Sequence, residues 1–122
     1  MRTATIAANA AANFTLHAGA SSAVALSVRG GAHGAITASA NYARHLVIET
    51  VAAARRSPGT AAAAQERLAA VSAAVESAGI PGVKHAAGRY GLLPGHLRRP
   101  LRPVGTSVKR RIDDALDAAD TA

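Results

Sequence analysis

Residues 34–39, Gly-Ala-Ile-Thr-Ala-Ser, form a short uncharged run with glycines at 30 and 31 ahead of it and Asn41 behind it. The run shows no alternation of apolar and charged positions, so a strand here should be covered on both faces, as strands of a parallel sheet are. A parallel strand needs a neighbour reached through a crossover. Residues 13–18 (NFTLHA) supply one: Phe14, Thr15 and Leu16 favour a pleated surface, and Gly19 closes the stretch. Between the two, SSAVALSVRG (21–30) reads as a short helix. Ser21 or Ser22 is placed to cap it, Val24, Leu26 and Val28 give it bulk, and Gly30 stands where a left-handed stop is wanted. Strand, helix and strand in this order make a βαβ unit.

The rest of the chain reads as helix. Alanine content predicts an uncapped helix over 2–12. Leu46, Val47, Val51 and Ala54 fall near helical spacing over 43–56, where RRSPGT ends the pattern. Ala64, Leu68, Val71 and Val75 line one face of a helix over 60–77, with Gln65, Glu66, Arg67 and Glu76 mostly off it. Gly79-Ile80-Pro81-Gly82 reads as a break, followed by a helix over 83–90. Residues 91–105 hold three prolines and three glycines and should be irregular. A last helix starts at Thr106 or Ser107, with Val108, Ile112, Ala115, Leu116 and Ala119 on its apolar face.

Two parallel strands do not make a sheet that stands alone, and each leaves an edge unpaired. Composition sharpens the difficulty. Of the 122 residues 49% are apolar, but most of these are alanine, and the only aromatic residues are Phe14, Tyr42 and Tyr90. The large candidates for a core are Leu16, Leu26, Ile36, Leu46, Ile48, Leu68, Val71, Val75, Leu92, Leu93, Leu97, Leu101, Ile112 and Leu116. Such a core should be marginal unless a partner adds surface. Both arguments lead to the expectation that strands are missing ahead of residue 1.

Net charge is +7. Eight basic residues and no acid lie between Lys84 and Arg111, a segment able to meet phosphate or an acidic partner. No aromatic stacking platform or nucleic-acid motif accompanies it, so a small basic binding module is the alternative reading and nucleic acid is not the expected partner. Residues 3–28 carry no Asp, Glu, Lys or Arg, yet Asn9, Asn13, His17 and Gly19 dilute the stretch, so no membrane span is expected. Cysteine is absent, which excludes disulfides and thiolate metal sites and makes the cytoplasm the default location. No pair among His17, His33, His45, His85 and His96 has the spacing of a helical zinc site, so no metal is expected, and no cofactor motif is present.

Residues 14–41, FTLHAGASSAVALSVRGGAHGAITASAN, resemble the seventh and eighth strand units of the dihydrodipicolinate synthase and N-acetylneuraminate lyase family. Ala18-Gly19-Ala20 stands at the family's Ser-Gly-Asp, and Gly34-Ala35-Ile36-Thr37 with Asn41 stands at its glycine-led strand motif. Pro81, Lys84, Gly91, Leu92, Arg98, Pro100 and Pro103 fall at the places of its C-terminal segment. The order holds across about residues 14–118.

The resemblance implies an α/β fold, an incomplete TIM (β/α)8 barrel. The last two βα units, with parallel strands at about 13–18 and 34–39, would be followed by a C-terminal helical extension. It divides a single partial domain into barrel units over 1–56 and helices over 57–122. The family forms a lysine Schiff base with pyruvate or a related 2-keto acid, and its strand-six lysine, strand-five tyrosine and strand-two threonines have no counterpart in these residues. Lys84 matches a helical family position and reads as structural, and Lys109 reads as solvated, so no catalytic residue is expected here. Gly19 and Ile36 are the positions that correspond to the family's substrate pocket. A keto acid is expected as ligand only if the barrel is completed, through self-association or by strands supplied in trans. Ala20 and Ser21 replace the acids that family members carry after the strand-seven glycine, which weakens the inherited pocket.

Overall fold

The computed structural model describes residues 2–92 and 96–121. Helices dominate, as the periodicity predicts. In chain order they are α1 (Arg2–Asn9), α2 (Val24–Arg29), α3 (Arg44–Arg56), α4 (Pro58–Glu76), α5 (Gly79–Arg89) and α6 (Thr106–Asp120). Two strands, β1 (His17–Ala18) and β2 (Gly34–Ala35), pair in parallel with His17 opposite Gly34 and Ala18 opposite Ala35. The strand–helix–strand order is the expected one, but both strands are far shorter than residues 13–18 and 34–39.

The reason lies in their partners. Backbone pairing runs from the His33 N–H, which donates to Leu16 O at 2.7 Å, to the Ile36 N–H, which donates to Ala18 O at 2.9 Å. Beyond Thr37, which is extended, the chain coils into a single 3-10 turn at Ala38–Asn41 that buries Ser39. Ahead of Leu16 the chain turns, with the Phe14 N–H donating to Ala11 O at 2.9 Å. The β propensity of Phe14 and Thr15 thus has no ladder to join.

Other local expectations shift for identifiable reasons. Helix α1 stops at Asn9, three residues before the predicted end, and buries none of its residues. The segment over 21–30 splits into a 3-10 turn at Ser21–Ala23 and α2. No serine caps either piece, because Ser21 is buried and bonded elsewhere. Gly30 has a negative φ of −85°, and the left-handed residue is Gly31 at +102°.

One residue, Ser57, separates α3 from α4. Its hydroxyl accepts the Thr60 N–H at 3.3 Å, and Pro58 occupies the first helical position, where a missing N–H costs nothing. The proline therefore starts α4 two residues earlier than predicted.

The predicted break at Gly79-Ile80-Pro81-Gly82 is instead the first turn of α5. Gly79, with φ +63°, makes the reversal alone. Gly82 allows α5 to lie against the end of α4: a Cβ there would come 2.3 Å from Val75 O and 2.8 Å from the Ala78 Cβ. Gly82→Ala is therefore expected to cost about 3 kcal/mol in a urea unfolding experiment, at the high end for overpacking because the obstacle is backbone.

The main core gathers Val24, Tyr42, Leu46, Val47, Leu68, Val71, Val75, Ile112 and Leu116 from the strand unit and the later helices alike. Ile112 and Leu116 put the apolar face of α6 against it, as the sequence predicts. Arg89 on α5 fastens α6 from outside, 2.5 Å from Asp117 and 3.5 Å from Asp113. Leu26, Ile36, Ile48, Leu92 and Leu101, expected in the core, are exposed. Leu16 and Leu97 are only partly buried, and Leu93 lies outside the described residues. Among the described residues no helix is long and apolar enough to cross a membrane.

Candidate functional site

The C-terminal ends of the two strands are where a parallel α/β fold builds its sites, because successive loops converge there. Gly19 follows β1 and Ile36 follows β2. The hydrogen bond from the Ile36 N–H to Ala18 O brings them side by side, as a pocket wall requires. Both are open to solvent. A Cβ on Gly19 would meet nothing within 4 Å, and Ile36 is 73% exposed. An isoleucine that exposed, at the end of an ordered ladder, presents its apolar side chain to solvent.

Directly behind these residues lies a buried set of hydroxyls that sequence reasoning did not find. Thr37 Oγ1 is 2.8 Å from Ser39 Oγ, which is 2.8 Å from Ser21 Oγ. Ser21 donates to Glu76 Oε1 at 2.5 Å, and the Tyr42 hydroxyl donates to the same oxygen at 2.7 Å. Each hydroxyl owns one proton, and an ionised carboxylate only accepts. Ser21 is placed to donate to both Ser39 and Glu76, so its single proton is shared between two acceptors.

Tyr42 is held firmly in its neutral, donating form. Burial is the largest influence pushing its phenol above the ordinary tyrosine value, followed by the hydrogen bond to Glu76 and the charge of that carboxylate. The loops after β1 and β2 are thereby tied to the end of α4. Gln65, about three turns earlier on the same face of α4, adds a second tie: its Nε2 donates to Ser21 O at 2.9 Å and its Oε1 accepts the Ala25 N–H at 2.9 Å. Glu76 in the run Ala-Ala-Val-Glu-Ser-Ala-Gly was the available signal, a carboxylate closing an uncharged final stretch of the helix.

The cationic candidates lie elsewhere. Lys84 on α5 donates to His96 O at 3.0 Å, which joins α5 to the proline-rich segment. It lines clefts whose walls include neither Gly19 nor Ile36. Lys109 lines one of the same clefts. His33 has a backbone role: its Nδ1 accepts the Leu16 N–H at 3.2 Å, and Arg55 donates to its carbonyl at 2.6 Å. Among the described residues no three His, Cys, Asp or Glu side chains gather as a metal site.

The basic stretch from Lys84 to Arg111 is not one free patch. Arg89 is engaged by two aspartates of α6, and Arg111 donates to Ser77 Oγ at 3.4 Å. The binding-module alternative gains no support from this arrangement.

The Dihydrodipicolinate synthetase family model matches residues 1–119. The chain belongs to this family. The match covers nearly all of the 122 residues and takes in α1 as well as the strand and helix segments that carry the resemblance. No curated protein sequence matches the chain. The Dihydrodipicolinate synthetase fold is a TIM barrel, and two parallel strands with helices around them are compatible with part of one. In that frame the Gly19–Ile36 edge lies at the end of the strands where such barrels work.

Proposed function

We propose that these residues form the last two strand–helix units and the C-terminal helices of a Schiff-base aldolase or lyase barrel acting on pyruvate or a related 2-keto acid. In this reading residues 1–56 belong to the barrel wall and residues 57–122 brace it from outside. The amine is contributed by strands outside the 122 residues. Such an amine must be neutral at working pH to attack a ketone, which requires a desolvated or cation-flanked lysine. Lys84 is bonded to a backbone carbonyl and Lys109 stands on an exposed turn of α6, so neither offers that setting.

The observation that carries the reading is the juxtaposition of Gly19 and Ile36 on an open ladder end. Ile36 would pack against the carbon skeleton of the keto acid, and the bare backbone at Gly19 would let it approach. The hydroxyl chain from Thr37 to Tyr42 would hold both loops still beneath it. Completion of the barrel would cover Ile36 and pair the free strand edges, either in an assembly of chains or by strands in trans, in the cytoplasm.

The test is complementation. A polypeptide carrying the first six strand–helix units of a family barrel is mixed with this chain, pyruvate and borohydride. A reduced adduct on the added lysine that forms only in the mixture is expected. No adduct in the mixture, or equal adduct without this chain, would count against the proposal.

A further inference from the structure

Away from the strand ends, α5, the start of α6 and residues 96–104 form a cleft of about 390 Å3. That size lies within the range of roughly 300–1,000 Å3 usual for small-molecule sites. Pro81, Leu97, Leu101 and Val104 give it an apolar floor, and Lys84, Lys109, His85 and His96 stand around them. No carboxylate lines it. The acid bonded to His85, Asp113 at 2.9 Å, also has Arg89 at 3.5 Å, so its charge is already answered. Adjoining surface adds Arg98 and shares Lys84, His96, Leu97 and Leu101 with the cleft.

Two features make the cations available. Lys84 spends one N–H on His96 O at 3.0 Å, leaving two of its three donors for another acceptor. Lys109 has no side-chain partner among the described residues. Ammonium groups beside an apolar floor favour a ligand that is anionic at one end and apolar at the other.

We propose that this cleft binds a small amphipathic anion, an alkyl or aryl phosphate or carboxylate, with its head between Lys84 and Lys109 and its body on Leu97, Leu101 and Val104. The small size of the cleft and the absence of stacking aromatics from its lining favour such a molecule over a polymer. The site is independent of the keto-acid reading, since it uses neither Gly19 nor Ile36.

The experiment is an NMR titration of the 122-residue chain with octyl phosphate, octanoate, inorganic phosphate and octanol, each below its micelle concentration. Octyl phosphate or octanoate is expected to shift the backbone amides of residues 97, 101 and 104 saturably, and the tighter of the two identifies the head group. Inorganic phosphate and octanol should bind far more weakly. Lys109→Glu on the exposed turn should weaken the amphiphile by about tenfold or more, the scale of one lost charge-assisted hydrogen bond, and leave the fold's spectrum intact. Inorganic phosphate binding as well as octyl phosphate, shifts confined to other residues, or an unchanged affinity in Lys109→Glu would overturn the proposal.

Discussion

Leu68→Ala is expected to lower the unfolding free energy by about 3–4 kcal/mol, measured by urea denaturation, with Leu101→Ala close to neutral as the control. Leu68 is 0% exposed and sits in the main core with Leu46, Val71, Ile112 and Leu116. Its neighbours in the core come from α3, α4 and α6, so a cavity left there is walled by three packed helices. Alanine already occupies many buried positions, including Ala43, Ala53, Ala61, Ala64 and Ala86, so each large core side chain carries an unusual share of the burial. A domain with a total stability of about 5–15 kcal/mol can lose much of it through this one change. A loss below about 1 kcal/mol would show that the helices do not pack around Leu68 as described.

Glu76→Ala should be nearly as damaging, about 2–4 kcal/mol, because it leaves the buried Tyr42 hydroxyl without its acceptor and takes one of two acceptors from Ser21. Glu76→Gln keeps one acceptor oxygen and should lose less. In a double-mutant cycle with Tyr42→Phe the two losses should be strongly non-additive, since the phenylalanine no longer needs the acceptor. The same contact has a pH signature. Folding raises the Tyr42 phenol above its usual value, chiefly through burial. An unfolded tyrosine titrates near 10, so above that pH the unfolded chain sheds the proton first. The stabilisation is full below pH about 10 and is lost progressively as pH rises beyond it. Tyr42→Phe should remove that part of the alkaline decline. Part of the slope will remain, because Tyr90, pushed up to about 12 by partial burial and its bond to Asp120, contributes with the same sign.

The helices with strong apolar periodicity were legible in the sequence. The faces of α4 and α6 fall where Leu68, Val71, Val75, Ile112 and Leu116 place them. Boundaries set by proline and glycine were less so, because those residues act differently by position. Pro58 opens α4 where it looked like a stop, and Pro81 sits inside the first turn of α5. The order of the strands was readable, but their length was not. A strand extends as far as its neighbours pair with it, and here each has one neighbour. Ile36, expected in the core, stands exposed beyond the end of that short ladder. At the candidate site, Gly19 and Ile36 were identified through the family resemblance and lie together. The Thr37–Ser39–Ser21–Glu76–Tyr42 chain was missed because its members come from three separate stretches, and hydroxyl residues carry no periodic signal.

The proposed function depends most on the attacking amine being contributed by strands other than these. Incubating the 122-residue chain alone with pyruvate and borohydride, followed by intact-mass and peptide mapping, measures this directly. An unmodified chain is expected, with Lys84 and Lys109 both recovered free. A stable reduced pyruvate adduct on either lysine would contradict it.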